Sequence, residues 1–303
     1  MTFNTIILNY YILIFSTFEG YSLARKTGLE VVAIFKQISK EILKMTYKIV
    51  IILLLSSIHL YSQTLCRTDI MNNEEVISAD RIERFIKYDF SQLWLKTENE
   101  FVYGIIGDEH QRILVKILTV LKNSKNPKEY LITGKSSVKE NVCRFSGKIT
   151  VIKIQESKRT IFGVDNEFRE RLKTQGILIA QYEFFENKGE THSGVFHGLV
   201  KTKWYLDKKN KIRYDDTNIE ADGYFNNAFV GTWKMYKSNV LKKCNWADYR
   251  VPNSNCDFDI GAGDFNVSEK YWKNGWLDIA LKNKVTNQNI ENTKSSGNKK
   301  WWL

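Results

Sequence analysis

The sequence predicts a mainly β fold, an antiparallel barrel-like or sandwich sheet with one N-terminal amphipathic helix. After residue 100, short runs rich in Ile, Val, Tyr, Phe and Thr are separated by turn-forming residues such as Gly107-Asp108 and Asn187-Lys-Gly189. Within the run Phe145–Val151, apolar and polar residues alternate, as they do in a strand with one buried face. Many short strands at near-regular spacing are typical of sandwiches and barrels and not of parallel βα folds.

The helix is predicted near residues 73–95. Apolar residues recur there at intervals of three to five, and charged residues fill most of the positions between them. The apolar positions are Ile77, Ile82, Phe85, Ile86, Phe90 and Leu93. We expect this face to pack against the sheet, which is a commoner use of such a face than partner binding.

Two similar segments follow in the second half of the chain. The segment Gly194–Phe196 precedes Trp204, and 29 residues later Gly223–Phe225 precedes Trp233 at the same offset. We interpret the two copies as equivalent strand–turn units of one sheet. The alternative is a pair of aromatic ligand subsites, because lysines are interleaved with aromatic residues around both tryptophans. The predicted binding residues are Trp204, Tyr205, Phe225 and Trp233.

The composition is that of a globular protein with a basic surface. The chain has 303 residues, of which 43% are hydrophobic and 26% are charged, which excludes wholesale disorder. Its net charge of +11 favours anionic partners without identifying one. We expect a single β-rich domain over residues 63–281 and a flexible polar tail over residues 282–303.

Residues 45–62 have the pattern of a secretory signal peptide. A basic residue, Lys48, precedes the aliphatic run Ile49–Leu55, and small residues follow up to Ser62. The run is shorter than the ~20 apolar residues that span a membrane. We therefore predict cleavage near Ser62 and export to the periplasm, the outer surface or the extracellular space. Residues 1–44 are then an over-extended start, with Met45 as the true first residue, or a genuine N-terminal extension.

The 4 cysteines all follow the predicted cleavage point. An even number of cysteines in an exported protein suggests disulfides, and four cysteines allow three pairings. The spacing of Cys244 and Cys256 favours a bridge between them, which leaves Cys66 to pair with Cys143. A zinc site is the weaker alternative because no two cysteines are separated by two residues.

An acidic, glycine-containing segment begins at Asn255. Its alternating carboxylates could surround an oxygen-preferring cation such as Ca²⁺, and the predicted ligands are Asp257, Asp259 and Asp264. The segment departs from the EF-hand pattern, since Gly261 occupies a ligand position and no glutamate closes the loop. The alternative is a glycine-rich turn without a bound ion. Apart from calcium at this segment, no cofactor is expected.

No familiar catalytic motif occurs in the chain: the nucleophile elbow, the phosphate-binding loop and the zinc-protease helix are all missing. We therefore predict a non-catalytic exported binding protein for a glycan, an anionic surface polymer or a small apolar ligand, and expect no nucleic-acid partner. One alternative is a glycan-directed hydrolase that uses Asp215, Asp216 or Asp222. Another is a structural or assembly protein of the cell envelope.

Two resemblances support the β-rich prediction. The triplet Gly231-Thr-Trp233 resembles the Gly-x-Trp of lipocalin-type (calycin) barrels, although in that family the motif lies on the first strand. The stretch from Phe101 to Trp276 is also similar to exported bacterial proteins of no assigned activity. The similar segments are Tyr103–Gly107, Ile132–Lys135, Phe229–Trp233, Lys243–Trp246 and Asp259–Gly263. These resemblances imply export and a β-rich core, and they imply no mechanism.

Overall fold

The structure, a computed structural model, describes residues 37–48, 79–261, 263–286 and 300–303, with the side chains of 282–286 excluded. The chain divides into two compact units, Met1–Ser62 and Gln63–Leu303. In the first unit, residues 37–48 form the N-terminal helix. Across the described ranges, no helix combines the length and the apolar character that crossing a membrane requires.

The second unit is built on one antiparallel sheet, to which the described residues contribute ten strands. The strands are β1 (Val102–Ile106), β2 (Gln111–Arg112), β3 (Leu114–Lys122), β4 (Glu129–Val138), β5 (Asn141–Glu156), β6 (Leu172–Glu186), β7 (Gly194–Asp207), β8 (Ile212–Tyr214), β9 (Asn226–Met235) and β10 (Leu241–Asp248). Their order is β2-β1-β10-β9-β7-β6-β5-β4-β3, with β8 paired to β7. The sheet curls into a half-barrel, so the predicted mainly β, barrel-like fold is confirmed.

The curl has local causes in the sequence. Register shifts, such as the one between Val151 and Lys153 on β5, bend the long strands and increase their twist. Gly198 on β7 lies opposite Gly231 on β9, and a Cβ added to Gly231 would lie 2.2 Å from the carbonyl oxygen of His197. The two strands can approach this closely only because both positions are glycine, which leaves room for the Tyr182 side chain above them.

The concave face of the sheet holds the main hydrophobic core. Aromatic rings dominate it, and the rings of Phe229 and Trp246 are stacked with their centroids 4.7 Å apart. A second cluster covers the opposite face of β1, where Tyr103 packs against Phe265 and other aromatic residues that follow β10. The 3₁₀ helix Glu269–Asn274 and the helix Leu277–Thr286 complete that layer.

The segment that leads into the sheet differs from the prediction. Residues 73–78 of the helix expected near 73–95 lie outside the described residues, and the rest forms two short turns, the α-helix Ile82–Phe85 and the 3₁₀ helix Ser91–Trp94. Between the turns, the backbone N–H of Phe90 donates to the Tyr130 hydroxyl, and that of Ser91 donates to Asp89. These side chains satisfy backbone donors that a continuous helix would use internally, and they break it. The predicted apolar positions Ile82, Phe85, Phe90 and Leu93 are nevertheless buried in the main core.

Both predicted disulfides are wrong. Cys143 and Cys244 are buried free thiols, which excludes the bridges Cys244–Cys256 and Cys66–Cys143. Cys244 points into the concave core, whereas the loop that carries Cys256 packs against the opposite face of β1 through Phe258. Two cysteines on opposite faces of a strand layer cannot direct their Cβ atoms toward each other. Cys66 lies outside the described residues.

The predicted polar tail, residues 282–303, is described only in part. The helix Leu277–Thr286 continues past residue 282, where the tail was expected to begin. Residues 287–299 lie outside the described part of the chain. At the extreme C-terminus, the indole N–H of Trp301 donates to the side-chain oxygen of Asn99, 3.0 Å away.

Candidate functional site

Two of the predicted binding residues are components of the core. Trp204 is fully buried, and its ring centroid lies 4.7 Å from that of Phe85 in the lead-in segment. Trp233 is also buried, and its indole N–H donates to the carboxyl of Glu186 at 2.9 Å. Neither ring offers an exposed face for a ligand in this arrangement.

The other two predicted binding residues lie elsewhere. Tyr205 packs edge-on against Phe168 in a small separate cluster. Phe225 is half-buried, and the ammonium of Lys203 lies 4.4 Å from its ring centroid. The structure therefore distributes the four aromatic residues over three clusters and does not bring them together.

The acidic segment after β10 is neutralised by basic side chains. Asp257 pairs with Lys270 at 2.6 Å, and the buried carboxylate of Asp259 pairs with Arg250 at 2.7 Å. Asp264 is exposed. No group of three or more metal-ligating side chains occurs within the ranges that the structure describes. Two of the three predicted calcium ligands, Asp257 and Asp259, are thus used in ion pairs.

The carboxylates of the hydrolase alternative are not arranged across a cleft. Asp215 accepts a hydrogen bond from the Thr217 hydroxyl at 2.7 Å and further ones from Gln175, while burial raises its pKa. Asp222 is exposed in the turn before β9. None of the three carboxylates lines the open depression at the start of β5 or the small cavity at the end of β10, which are the two cavities described in the following paragraphs.

An open depression of about 520 Å³ lies at the end of the sheet where β5 begins and β6 ends. This outer depression is lined by Arg144, Phe145, Ser146, Phe185, Glu186, Asn187, Lys188 and Tyr236. Its volume falls within the usual range of small-ligand sites, about 300 to 1,000 Å³. The strand register places Ser146 directly opposite Phe185, so both side chains are on the outer face.

Aromatic and basic groups are adjacent in the outer depression. The Phe185 side chain is 44% exposed, which leaves much of its ring accessible. The Tyr236 hydroxyl donates to the backbone carbonyl of Glu186 at 3.0 Å, which fixes the ring, and the ammonium of Lys188 lies 5.4 Å from the ring centroid. Burial, followed by the nearby Glu186 carboxyl, raises the pKa of Tyr236, so this hydroxyl stays protonated at neutral pH. Arg144 is held in place by an ion pair with Glu190 at 2.9 Å.

The Glu186 carboxyl lies beneath the depression and faces the interior. It accepts hydrogen bonds from the indole of Trp233, from the backbone N–H of Gly194 at 2.8 Å and from the hydroxyl of Ser136. Burial raises its pKa although these donors act in the opposite direction. This carboxyl therefore anchors the floor of the depression from the interior side.

The hairpin that joins β9 to β10 extends the basic character of the depression. Its four exposed lysines are Lys234, Lys237, Lys242 and Lys243, and we call them the hairpin lysines. Within the described residues, none of the four is part of an ion pair. Tyr236 belongs to both the hairpin and the depression. Lys234 is in register with Val195 and Phe185, and Lys243 is paired with Thr232, so these two lysines share the outer face with the depression. Lys242 is paired with the buried Trp233 and lies on the opposite face. The interleaving of lysines and aromatic residues around Trp233 was the sequence signal for this region, but it did not reveal the contribution of β5 and β6.

A second polar site occupies the other end of β10. The buried Asp248 carboxyl accepts hydrogen bonds from Thr97 at 2.8 Å, Tyr214 at 2.9 Å and Asn227 at 2.7 Å. Burial raises its pKa to about 7, against the effect of these donors. The carboxyl borders a cavity of about 30 Å³, enough for roughly one water molecule. Sequence analysis missed this site because its members come from four distant segments.

No protein-family model, curated protein or solved structure matches the chain. The resemblances to lipocalin-type barrels and to exported bacterial proteins therefore stay predictions, and the site has to be interpreted from its own geometry.

Proposed function

We propose that the protein is exported and binds an anionic glycan or a similar anionic surface polymer, without catalysis, through the outer depression and the hairpin lysines. The observation that carries this proposal is that Lys234 and Lys243, which have no ion-pair partners within the described residues, lie on the same face of the sheet as a depression with accessible aromatic rings. Fixed aromatic faces suit the apolar faces of sugar rings. Positive charges without local partners attract an anionic ligand over the Debye length of about 10 Å.

Export is supported by the sequence pattern of residues 45–62. The residues that follow the predicted cleavage point keep 39 basic and 31 acidic side chains, and this net charge of +8 agrees with an anionic partner in the cell envelope or outside the cell.

The proposal can be tested with heparin and polygalacturonate as anionic probes and dextran as the neutral one. The double variant Lys234→Glu/Lys243→Glu, which changes two lysines on the outer face, should weaken binding of the anionic probes about tenfold, because an exposed charge contributes up to about 1 kcal/mol. The matched control is Lys125→Glu/Lys128→Glu, in the exposed turn between β3 and β4 at the opposite end of the sheet. Both variants change the net charge equally, so only a local site distinguishes them.

Affinity for the anionic probes should also fall as salt increases, and dextran should bind weakly or not at all. Equal losses in the two double variants would refute a localised site. Shortening of polygalacturonate during prolonged incubation, measured by size-exclusion chromatography, would refute the non-catalytic part of the proposal.

A further inference from the structure

The half-barrel has a seam where its two edge strands separate. Strands β2 and β3 are consecutive, and the backbone N–H of Ile113 between them donates to the carbonyl of Gly104 on β1 at 3.0 Å. Beyond this point, β3 continues along β4 while β1 continues along β10. The 30 Å³ cavity beside Asp248 lies in the resulting gap, between Val102 on one side and Val115–Ile117 on the other.

The lead-in segment closes only part of the seam. The side-chain amide of Asn99 donates to the backbone carbonyl of Val115 at 2.7 Å, which satisfies an acceptor on the unpaired side of β3. The same Asn99 directs its side-chain oxygen outward, where it can accept a hydrogen bond. Asn99 and Lys116 together form the outer rim of the cavity.

The C-terminal residues lie on this rim. Trp301 donates its indole N–H to Asn99 at 3.0 Å, and the ammonium of Lys116 lies 5.4 Å from the ring centroid of Trp302. The two indoles pack edge to face, with their centroids 5.8 Å apart and their planes at 87°. Both are partly buried, whereas Leu303 beyond them is 88% exposed.

Each rim residue matches a different feature of an indole. The amide oxygen of Asn99 is an acceptor for the only polar hydrogen of the ring, and the Lys116 ammonium is attracted to the negative face of the second ring. Lys116 is half-buried, and burial lowers its pKa while Asp248 and Glu98 act in the opposite direction. Two independent polar contacts to two successive indoles require a defined placement of the peptide, which nonspecific apolar collapse does not.

We propose that the seam formed by Asn99, Val102, Val115 and Lys116 is a peptide-binding site for successive tryptophan side chains, which the chain's own Trp301-Trp302 fills and keeps closed. This site is separate from the outer depression, at the other end of β10, and the proposal does not depend on the proposed function. The peptide occupies the rim in cis, and its release exposes the cavity beside Asp248.

The test compares the full chain with a chain that ends at Lys300. A fluorescently labelled peptide of residues 300–303, Lys-Trp-Trp-Leu, is titrated into each, and binding is measured by fluorescence anisotropy. A tethered segment acts at an effective concentration of about 1 mM, so for a peptide dissociation constant of about 0.1 mM the full chain should bind roughly tenfold more weakly. The truncated chain should lose this binding with Asn99→Ala and keep it with Asn218→Ala, a change of an exposed asparagine in another loop.

A second measurement covers the case in which the truncated chain does not fold. In the full chain, Asn99→Ala should speed the removal of Leu303 and Trp302 by carboxypeptidase about fivefold or more, as followed by intact mass, while Asn218→Ala should not. Equal trimming in wild type and Asn99→Ala, or a folded truncated chain that does not bind the peptide, would overturn the proposal. A dimer that depends on residues 301–303 would overturn the cis arrangement, because the tail would then fill the seam of a second copy.

Discussion

The buried carboxyl of Asp248 should make the stability of the protein depend on pH. The side chain is 4% exposed, and its pKa is raised from 3.8 to about 7. A carboxyl whose pKa is higher in the folded than in the unfolded state binds its proton more tightly when folded. The free energy of unfolding therefore falls as the pH rises from about 4 to about 7, and it levels off above that range.

The size of this effect follows from the two pKa values. Each pKa unit corresponds to about 1.4 kcal/mol, so the shift corresponds to about 4 kcal/mol over the full range and about 3 kcal/mol between pH 4.5 and 8. The variant Asp248→Asn removes the titrating group and preserves an oxygen that can accept from Thr97, Tyr214 and Asn227. The variant should therefore lose this part of the pH dependence. Between pH 4.5 and pH 8, the free energy of unfolding of the wild type should fall by about 3 kcal/mol more than that of the variant.

Urea unfolding at pH 4.5 and pH 8 measures the difference directly. A change of about 3 kcal/mol corresponds to roughly 1 M in the urea midpoint for a domain of this size. Asp222→Asn is the control, since it removes an exposed carboxylate and should leave the wild-type pH dependence unchanged. Equal pH dependence in wild type and Asp248→Asn would refute the assignment of a raised pKa to this carboxyl.

Three further predictions concern packing and thiol chemistry. Gly231→Ala should lower the free energy of unfolding, measured by urea titration, by about 2 kcal/mol or more, because the added Cβ would lie 2.2 Å from a carbonyl oxygen. Gly189→Ala is the control: the atom nearest to its added Cβ is 3.4 Å away, so the free energy of unfolding should change by less than about 0.5 kcal/mol. Cys143 and Cys244 are buried, and burial raises the pKa of both thiols, so they should react with dithiobis(nitrobenzoate) only after unfolding; rapid labelling of either in the native protein would contradict the placement. Trp233→Phe should cost about 2 kcal/mol at pH 7, because it removes a hydrogen-bond donor from a buried carboxyl; an unchanged thermal midpoint would show that water replaces the indole.

The sheet was predictable from the sequence because its signal is local. The alternation in Phe145–Val151 and the glycine-containing turns each report on neighbouring residues of the same strand. The prediction of a long lead-in helix was wrong because the deciding interaction is not local. The apolar positions that the structure describes are buried as expected, but the hydroxyl of Tyr130, 40 residues away, accepts a hydrogen bond from the backbone N–H of Phe90. Periodicity identifies which side chains face a core. It does not reveal a distant side chain that competes for a backbone hydrogen bond.

The candidate sites were less predictable, because burial changes what a residue type can do. Trp204 and Trp233 are residues of a type that is common at binding surfaces. The curled sheet, however, needs large rings to fill its concave face, and both side chains are buried in that core. The cysteine pairing failed similarly, since the distance in sequence between Cys244 and Cys256 contains no information about which face of the layer each occupies. Only the strand register, through the pairing of Cys244 with Gly231 and Ile106, settles the direction of that side chain.

The two ends of β10 differ in a way that connects the sheet topology to the two proposals. At the Leu241 end, the hairpin lysines are exposed and none of them forms an ion pair within the described residues, so their charge is available to a ligand. At the Asp248 end, the strand runs into the gap between β1 and β3, so its carboxyl is covered by the lead-in segment and by residues beneath the C-terminal tryptophans. A charge at the first end can act over a distance through solvent, whereas a charge at the second can act only on groups inside the seam. Variants of the hairpin lysines should therefore leave binding of the tryptophan peptide unchanged, and loss of that binding in Lys234→Glu/Lys243→Glu would show that the two sites are coupled through β10.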